Sequence, residues 1–238
     1  MDSFPAIEID KVKAWDFRLI DENTAESLNV AYGVDSNYLD GVGVSITSIV
    51  INNRHVNLDF YIIADVYNDD FFQKVEKLAE QYQLRITLYR INTDNLQCLP
   101  CTQVWSRAMY FRLFAFQLLG VTLNRLLYLD ADVVCKGNIS QLLHLEFNGA
   151  VAAVVRDVDP MQEKAVVRLS DPELRGQYFN SGVVYLDLKK WTEAKLTEKA
   201  LSILMSKDSI YKYPDQDVMN VLLKVMTIFL PREFNTIY

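Results

Sequence analysis

The chain is poor in the residues that build disulfide scaffolds and zinc clusters. Its 238 residues include three cysteines, Cys98, Cys101 and Cys135, and two isolated histidines, His55 and His144. So few thiols, in an odd number, exclude a disulfide framework and favour a reducing compartment such as the cytoplasm. Cys98 and Cys101 form a Cys-x-x-Cys pair, but no second ligand pair accompanies it. A thiol redox or zinc protein is therefore only a remote alternative.

Long hydrophobic runs, a signal peptide and excess positive charge are also missing. No run reaches the ~18 apolar residues of a spanning helix, and the first five residues lack the positive and apolar regions of a signal peptide. There is no Gly-x-Gly-x-x-Gly spacing, which excludes a dinucleotide fingerprint. The net charge of −7 argues against nucleic-acid binding, because phosphates need basic partners. A protein with this charge that binds an anionic nucleotide is expected to need a cation.

What is present is a pattern of alternating strands and helices. Half of the residues are hydrophobic, enough to bury the core of a single domain. Short apolar runs alternate with longer amphipathic ones, which is typical of an α/β fold with a mostly parallel sheet flanked by helices. The predicted strands are 28–32, 58–64, 85–89, 125–129, 150–155, 182–186 and 227–230, and the predicted helices are 42–51, 69–83, 107–119, 192–206 and 215–224. Residues 1–25 are polar and irregular, and we predict that they form a lead-in segment.

Two carboxylates, Asp130 and Asp132, follow the wholly apolar strand that is predicted at 125–129. Side chains alternate along a strand, so the pair can converge only if the chain turns at Ala131. In that geometry both could bind one hard divalent cation, which prefers carboxylate ligands and also holds phosphate oxygens. A solvated turn is an equal alternative on spacing alone. The apolar strand and the small middle residue, which would let a ligand approach, favour a site.

Further polar residues stand at the ends of predicted elements. Asp35 and Asn37 follow the first strand and could bind a base or ribose, although a helix-capping turn explains them too. Asn180 and Ser181 precede the strand at 182–186 and could bind sugar hydroxyls, whereas in isolation a plain turn is favoured.

A third set lies on predicted helices. Asp215 and Gln216 begin the helix at 215–224, where an acid is readily explained by the helix dipole. The uncharged Gln216 is a poor base but a good positioner of a hydroxyl or carbonyl. Arg112 stands among aromatic and aliphatic residues, so we expect it to pair with Asp130 or to bind an anion such as a diphosphate. A purely structural salt bridge is an equal alternative.

In this order, residues 31–38, 110–113, 126–132, 179–184 and 215–220 resemble glycosyltransferase family 8, especially its bacterial lipopolysaccharide core glucosyltransferases. The resemblance runs from about residue 28 to residue 230 and implies a single Rossmann-like GT-A domain over residues 26–238. It further implies a UDP-sugar donor, UDP-glucose or UDP-galactose, a Mg²⁺ or Mn²⁺ ion, and retention of the anomeric configuration. The expected reaction moves a hexose, glucose first, onto a hexose of the lipopolysaccharide outer core in α-1,2 linkage. The expected location is the cytoplasmic face of the bacterial inner membrane, with peripheral contact.

The resemblance also assigns residues to roles. It gives Asp130 and Asp132 to the metal. Its UDP-sugar contacts are Gly33, Val34, Asp35, Ser36, Asn37, Tyr38, Arg112, Asp130, Ala131, Asn180 and Ser181, and its catalytic group is Gln216, Asp215 and Asp157. Family members carry a later His-x-x-Gly-x-x-Lys-Pro-Trp segment that completes the metal site, and this chain ends before one. We therefore expect the closing segment and the membrane contact to lie beyond these residues. A UDP-sugar-binding core without turnover is the alternative.

Overall fold

One mixed sheet of eight strands runs through the protein, whose structure is a computed structural model that describes residues 6–18, 26–101, 106–206 and 211–237. The strands are β1 (Ile9–Asp16), β2 (Leu28–Val34), β3 (Leu58–Ala64), β4 (Arg85–Ile91), β5 (Arg125–Leu129), β6 (Ala152–Arg156), β7 (Phe179–Asp187) and β8 (Thr227–Phe229). Their order is β1-β4-β3-β2-β5-β7-β6-β8. Strands β4, β3, β2 and β5 are parallel, as are β6 and β8, whereas β1 and β7 run against their neighbours. The predicted α/β fold with a mostly parallel sheet is confirmed.

Helices cover both faces of this sheet. They are α1 (Leu39–Asn52), α2 (Asp69–Tyr82), α3 (Phe111–Leu119), α4 (Asp159–Leu169), α5 (Leu188–Glu193), α6 (Leu196–Leu204) and α7 (Pro214–Leu223). One hydrophobic cluster lies under α1 and α2, and a second lies under α3, α5, α6 and α7. Every residue of β3 is buried, as expected of a strand covered on both faces.

Several element predictions were wrong or incomplete. The lead-in segment is not irregular throughout, because Ile9–Asp16 forms the edge strand β1, antiparallel to β4. Most of β1 is exposed and polar, so it shows no apolar alternation, while residues 1–5 and 19–25 lie outside the described residues. The helix predicted at 192–206 is two helices, broken at Lys195, whose φ of 52° is left-handed. The helix predicted at 107–119 opens with the 3₁₀ turn Arg107–Tyr110. Helix α4 was not predicted, because its buried face holds only Gln162 and Ala165.

The close packing of β2 against α3 positions the site. A Cβ on Gly33, near the end of β2, would lie 2.8 Å from the Cβ of Phe111, so only glycine permits this approach. The next residue in α3 is Arg112, which is thereby brought over the ends of the central strands. On the neighbouring strand pair, Asp130 continues the ladder of β5 by donating from its N–H to the carbonyl of Gly182, at 2.9 Å.

Candidate active site

A cavity of about 1370 Å³ opens at the carboxyl ends of β2 and β5. Ligands of open α/β sheets bind at this edge. Twelve of the predicted site residues line the cavity: Gly33, Val34, Asp35, Tyr38, Arg112, Asp130, Ala131, Asp132, Asn180, Ser181, Asp215 and Gln216. Three do not line it. Ser36 and Asn37 lie in the exposed 3₁₀ turn Ser36–Tyr38, and Asp157 is buried behind Gln216.

The buried guanidinium of Arg112 joins three segments of the site. Its Nη2 donates to Asp130 Oδ1 at 2.7 Å, and its Nη1 donates to the carbonyl of Ser181 at 2.7 Å. Its Nε lies 3.0 Å from Asp215 Oδ2, and the guanidinium stacks 4.8 Å from the ring centroid of Tyr128. Burial opposes the charge, but the two carboxylates outweigh burial and raise the pKa of Arg112. The expected pairing of Arg112 with Asp130 is present in the structure.

Asp130 is held where a second positive charge would stabilise it. Removal from water, together with the nearby carboxylates of Asp215 and Asp132, raises the pKa of Asp130 to about 6, although Arg112 opposes the rise. Its Oδ1 faces Arg112, while its Oδ2 lies 3.0 Å from where a Cβ on Gly182 would stand. The missing side chain at Gly182 therefore leaves space next to Oδ2.

The donor set at this edge fits a cation that is shared with phosphate. Mg²⁺ commonly takes one or two carboxylates and completes its coordination with water and substrate oxygens. Asp130 and Asp132 line the same cavity, and Asp132 is exposed to it. Within the described ranges, no three His, Cys, Asp or Glu side chains cluster closely enough to form a complete metal site. Two carboxylates with open neighbouring space thus suit a cation that arrives with a diphosphate.

Gln216 lies in the first turn of α7 with both ends of its amide engaged. Its Nε2 donates to Asp157 Oδ2 at 3.0 Å and to the hydroxyl of Tyr178 at 3.1 Å. Its Oε1 accepts from the N–H of Ser181 at 3.0 Å. The side chain is 8% exposed, at the wall of the cavity. Gln216 is therefore held rigidly at the site, with Asp157 behind it.

Asn180 and Asp35 each contact a residue that is distant in the chain. Asn180 Oδ1 accepts from Gly182 N–H and from Asn235 Nδ2, both at 2.9 Å. Asp35 Oδ2 accepts from the hydroxyl of Ser106 at 2.8 Å, while its Oδ1 caps the following 3₁₀ turn. Both sets of contacts build the cavity wall, because Ser106 and Asn235 line the cavity too.

The family model for glycosyl transferase family 8 matches residues 29–238. The chain belongs to glycosyltransferase family 8. It is 88% identical, over 238 residues, to a lipopolysaccharide 1,2-glucosyltransferase of Escherichia coli K12, covering 100% of this chain and 70% of that relative. It is 35% identical to a lipopolysaccharide 1,3-galactosyltransferase of Salmonella typhimurium, covering 93% of this chain and 67% of the relative. A glucosyltransferase and a galactosyltransferase thus both align with nearly the whole of this chain.

The fold of this family 8 chain also matches solved glycosyltransferases. The crystal structure of the galactosyltransferase LgtC, in complex with donor and acceptor sugar analogues, superposes with a TM-score of 0.73 at 21% identity. The match covers 86% of this chain and 74% of LgtC. At this identity the similarity establishes the fold only, which agrees with the predicted GT-A architecture.

Several wall residues of the family 8 chain were not predicted. Ser106 and Asn235 gave no local signal, because their partners lie 71 and 55 residues away. Behind the wall, Asp217 belongs to the segment 215–220 and Tyr178 directly precedes the segment 179–184, yet nothing in their spacing indicates that they meet. The structure brings the Tyr178 hydroxyl to within 2.5 Å of Asp217 Oδ1.

Other features of the family 8 chain lie apart from this cavity. Cys98 is exposed and donates weakly to the carbonyl of Asn95, and Cys101 is exposed as well. A second cavity, of about 680 Å³, is lined by Asn29, Arg125 and His144 among others and contains none of the predicted site residues. Among the described residues, no helix combines the length and the apolar character that crossing a membrane would require.

Proposed function

We propose that this chain is the catalytic part of a retaining hexosyltransferase, which moves glucose from UDP-glucose to a hexose of the lipopolysaccharide outer core in α-1,2 linkage. The relative at 88% identity, a lipopolysaccharide 1,2-glucosyltransferase, supports glucose as the sugar, lipopolysaccharide as the acceptor and a 1,2 linkage. UDP-galactose is the competing donor, because the 35% identical relative is a galactosyltransferase. We further propose residues 26–238 as the catalytic domain, acting at the cytoplasmic face of the inner membrane.

One observation carries the proposal: one basic, two acidic and one amide side chain converge on one wall of the cavity. Arg112 reaches it from α3 and Asp130 from the end of β5, while Asp215 and Gln216 both reach it from the first turn of α7. In the proposed complex, the 33–38 segment binds the uridine, with Asp35 accepting from the base or ribose. Asn180 and Ser181 bind the hydroxyls of the donor sugar. Gln216 then stands closest to the anomeric carbon.

We propose Mg²⁺ or Mn²⁺ as the cofactor, with Asp130 and Asp132 as its protein ligands. The raised pKa of Asp130, caused by burial and by neighbouring carboxylates, supports this assignment, because a cation would relieve that repulsion. When bound, the ion would neutralise charge that develops on the departing UDP. Arg112 keeps Asp130 in place through its 2.7 Å contact and so leaves Oδ2 directed at the open space beside Gly182.

In the proposed mechanism the acceptor hydroxyl attacks the anomeric carbon on the same face of the sugar that UDP leaves. The bond from that carbon to the acceptor oxygen would form as its bond to the UDP phosphate oxygen breaks, and the hydroxyl proton would pass to the departing diphosphate. A glutamine amide is a weak nucleophile, so a covalent intermediate on Gln216 is disfavoured. Instead, Gln216 Oε1 would accept a hydrogen bond from the sugar or the incoming hydroxyl, and Asp157 would act through Gln216 rather than on substrate. A glycosyl adduct trapped on Gln216 or Asp215 and found by mass spectrometry would refute this mechanism.

Calorimetric titration tests the proposed donor and metal together. UDP-glucose and UDP-galactose are titrated into the protein with and without Mn²⁺, and we expect tighter binding of UDP-glucose that depends on the ion. Asp132→Asn should abolish the metal-dependent part of the heat. The matched control is Asp10→Asn, which alters an exposed aspartate on the edge strand β1.

The outcomes separate the alternatives. No metal-dependent binding of either nucleotide sugar would overturn the donor and metal assignments. Metal-dependent binding without hydrolysis or transfer would favour the UDP-sugar-binding core. Bound zinc or a reducible disulfide that is unaffected by Asp132→Asn would favour the thiol alternative at Cys98 and Cys101.

A further inference from the structure

The orientation of the Gln216 amide decides which chemistry it offers to the cavity. A carbonyl oxygen facing the cavity accepts hydrogen bonds from sugar hydroxyls, whereas an NH₂ group would donate to them. We propose that Tyr178 and Asp217 are positioning residues that fix this amide with its oxygen on the cavity side. The inference rests on the proposed role of Gln216 at the donor sugar.

A chain of hydrogen bonds runs from Asp217 through the Tyr178 hydroxyl to Gln216, and Asp217 is its fixed end. Its side chain is completely buried, and it lies one position after Gln216 in α7. Its Oδ2 accepts from the backbone N–H groups of Lys212 and Tyr213, each at 3.1 Å. Its carboxylate also pairs with the guanidinium of Arg168 at 2.5 Å. A carboxylate in these contacts can only accept hydrogen bonds, so any hydroxyl that faces it must donate.

Because the Tyr178 hydroxyl must donate to Asp217, it can only accept a hydrogen bond from Gln216. A phenol has one hydrogen to donate and two lone pairs that accept. Its hydrogen is directed to Asp217 Oδ1, at 2.5 Å. Its oxygen then accepts from Arg168 Nη2 at 3.3 Å and from Gln216 Nε2 at 3.1 Å. With its single hydrogen committed to Asp217, Tyr178 can face only the NH₂ end of the amide.

The carboxylate of Asp157 also requires the NH₂ end of the Gln216 amide to face it. Its Oδ2 accepts from Gln216 Nε2 at 3.0 Å, so both amide hydrogens are committed to acceptors behind the site. The remaining end, Oε1, faces the N–H and hydroxyl of Ser181, at 3.0 and 3.4 Å. Turning the amide over would place its oxygen against Tyr178 and Asp157, and its NH₂ against the N–H of Ser181. All three contacts would be lost, which is costly for buried polar groups.

The Tyr178 hydroxyl is therefore needed for orientation as well as for packing. A phenylalanine at this position would fill the same buried space, and its ring would keep the apolar contacts that the tyrosine ring makes. What Tyr178→Phe removes is the acceptor for Gln216 and the donor to Asp217. This separation of shape from hydrogen bonding makes the inference testable.

Kinetics of UDP-glucose turnover with Mn²⁺ provide the first test. We expect Tyr178→Phe to lower kcat about ten-fold, the usual effect of one lost hydrogen bond, with KM for UDP-glucose unchanged. In a Gln216→Ala background, the same substitution should have no further effect, because Tyr178 acts through Gln216. Equal losses in both backgrounds would overturn the proposal. Tyr67→Phe is the control, since that hydroxyl lies 2.7 Å and 2.9 Å from two carbonyl oxygens, of Ile62 and Tyr89, away from the cavity.

Nuclear magnetic resonance of the Gln216 side-chain amide provides a test without turnover. The wild-type NH₂ hydrogens should show contacts to the Tyr178 ring, and Tyr178→Phe should speed exchange of one hydrogen about ten-fold. Contacts between the NH₂ group and the Ser181 N–H instead, or unchanged exchange in the variant, would overturn the inference. A wild-type protein without UDP-glucose turnover would refute the proposed function, and the amide spectrum would still decide the orientation.

Discussion

Replacing Arg112 with methionine should destabilise the protein strongly, because two carboxylates depend on its guanidinium. The side chain of Arg112 is 5% exposed and that of Asp215 is 11% exposed, so their 3.0 Å contact is shielded from water. Asp130, its other partner at 2.7 Å, is 37% exposed. Methionine keeps much of the apolar volume of the arginine stem and removes the charge.

The expected loss follows from what the substitution leaves behind. Removing one partner of a buried ion pair costs about 3–5 kcal/mol, because the other charge stays buried and unpaired. Water screens the carboxylate of Asp130, so leaving it unpaired contributes little to the loss of stability. Most of the loss arises at Asp215. We therefore expect Arg112→Met to lower the free energy of unfolding at pH 7 by about 3 kcal/mol. Arg112→Met combined with Asp215→Asn should recover about half of that loss.

Urea unfolding, followed by the fluorescence of the buried tryptophans Trp15 and Trp191, measures the loss. The control is Arg175→Met, which breaks a 3.5 Å pair with Glu163 whose two side chains are 66% and 63% exposed. That control should cost less than about 0.5 kcal/mol. A loss for Arg112→Met as small as that of the control would refute the view that Arg112 compensates buried charge. So would the absence of any recovery in the double variant.

Four further outcomes are expected. Gln216→Glu replaces the NH₂ donor with a carboxylate facing Asp157, so it should lower both the melting temperature and kcat, measured by circular dichroism and by turnover of UDP-glucose. Gly33→Ala places a Cβ 2.8 Å from that of Phe111 and should lower the free energy of urea unfolding by about 1–3 kcal/mol. The folded-state pKa of Asp130, raised to about 6 by burial, makes stability fall as the pH rises from about 4 to about 6. Asp130→Asn should therefore stabilise the ligand-free protein at pH 7 by about 1 kcal/mol, a gain absent at pH 4 in the same unfolding assay. Chelation of divalent ions should abolish turnover of UDP-glucose and leave the melting temperature of the free protein unchanged.

The features that could be predicted from the sequence are those encoded locally. An apolar run followed by two acids describes the end of β5 without knowledge of any other strand, and the sheet class follows from the alternation of elements. The contacts that could not be predicted join distant positions. Asp35 meets Ser106 across 71 residues, and Tyr178 meets Asp217 across 39. No local period encodes such pairs, because tertiary packing alone brings their elements together.

The turn at Ala131 has a packing cause that the sequence alone did not indicate. The two acids were expected to converge only if the chain turned there, and Val133 N–H does donate to the carbonyl of Asp130, at 3.1 Å. The small middle residue was interpreted as room for a ligand. In the structure Ala131 is 8% exposed, and a Cβ on Gly41 in α1 would lie 2.9 Å from its carbonyl oxygen. The tight contact with α1 therefore constrains the turn, which places both carboxylates on one cavity before any ion or nucleotide binds.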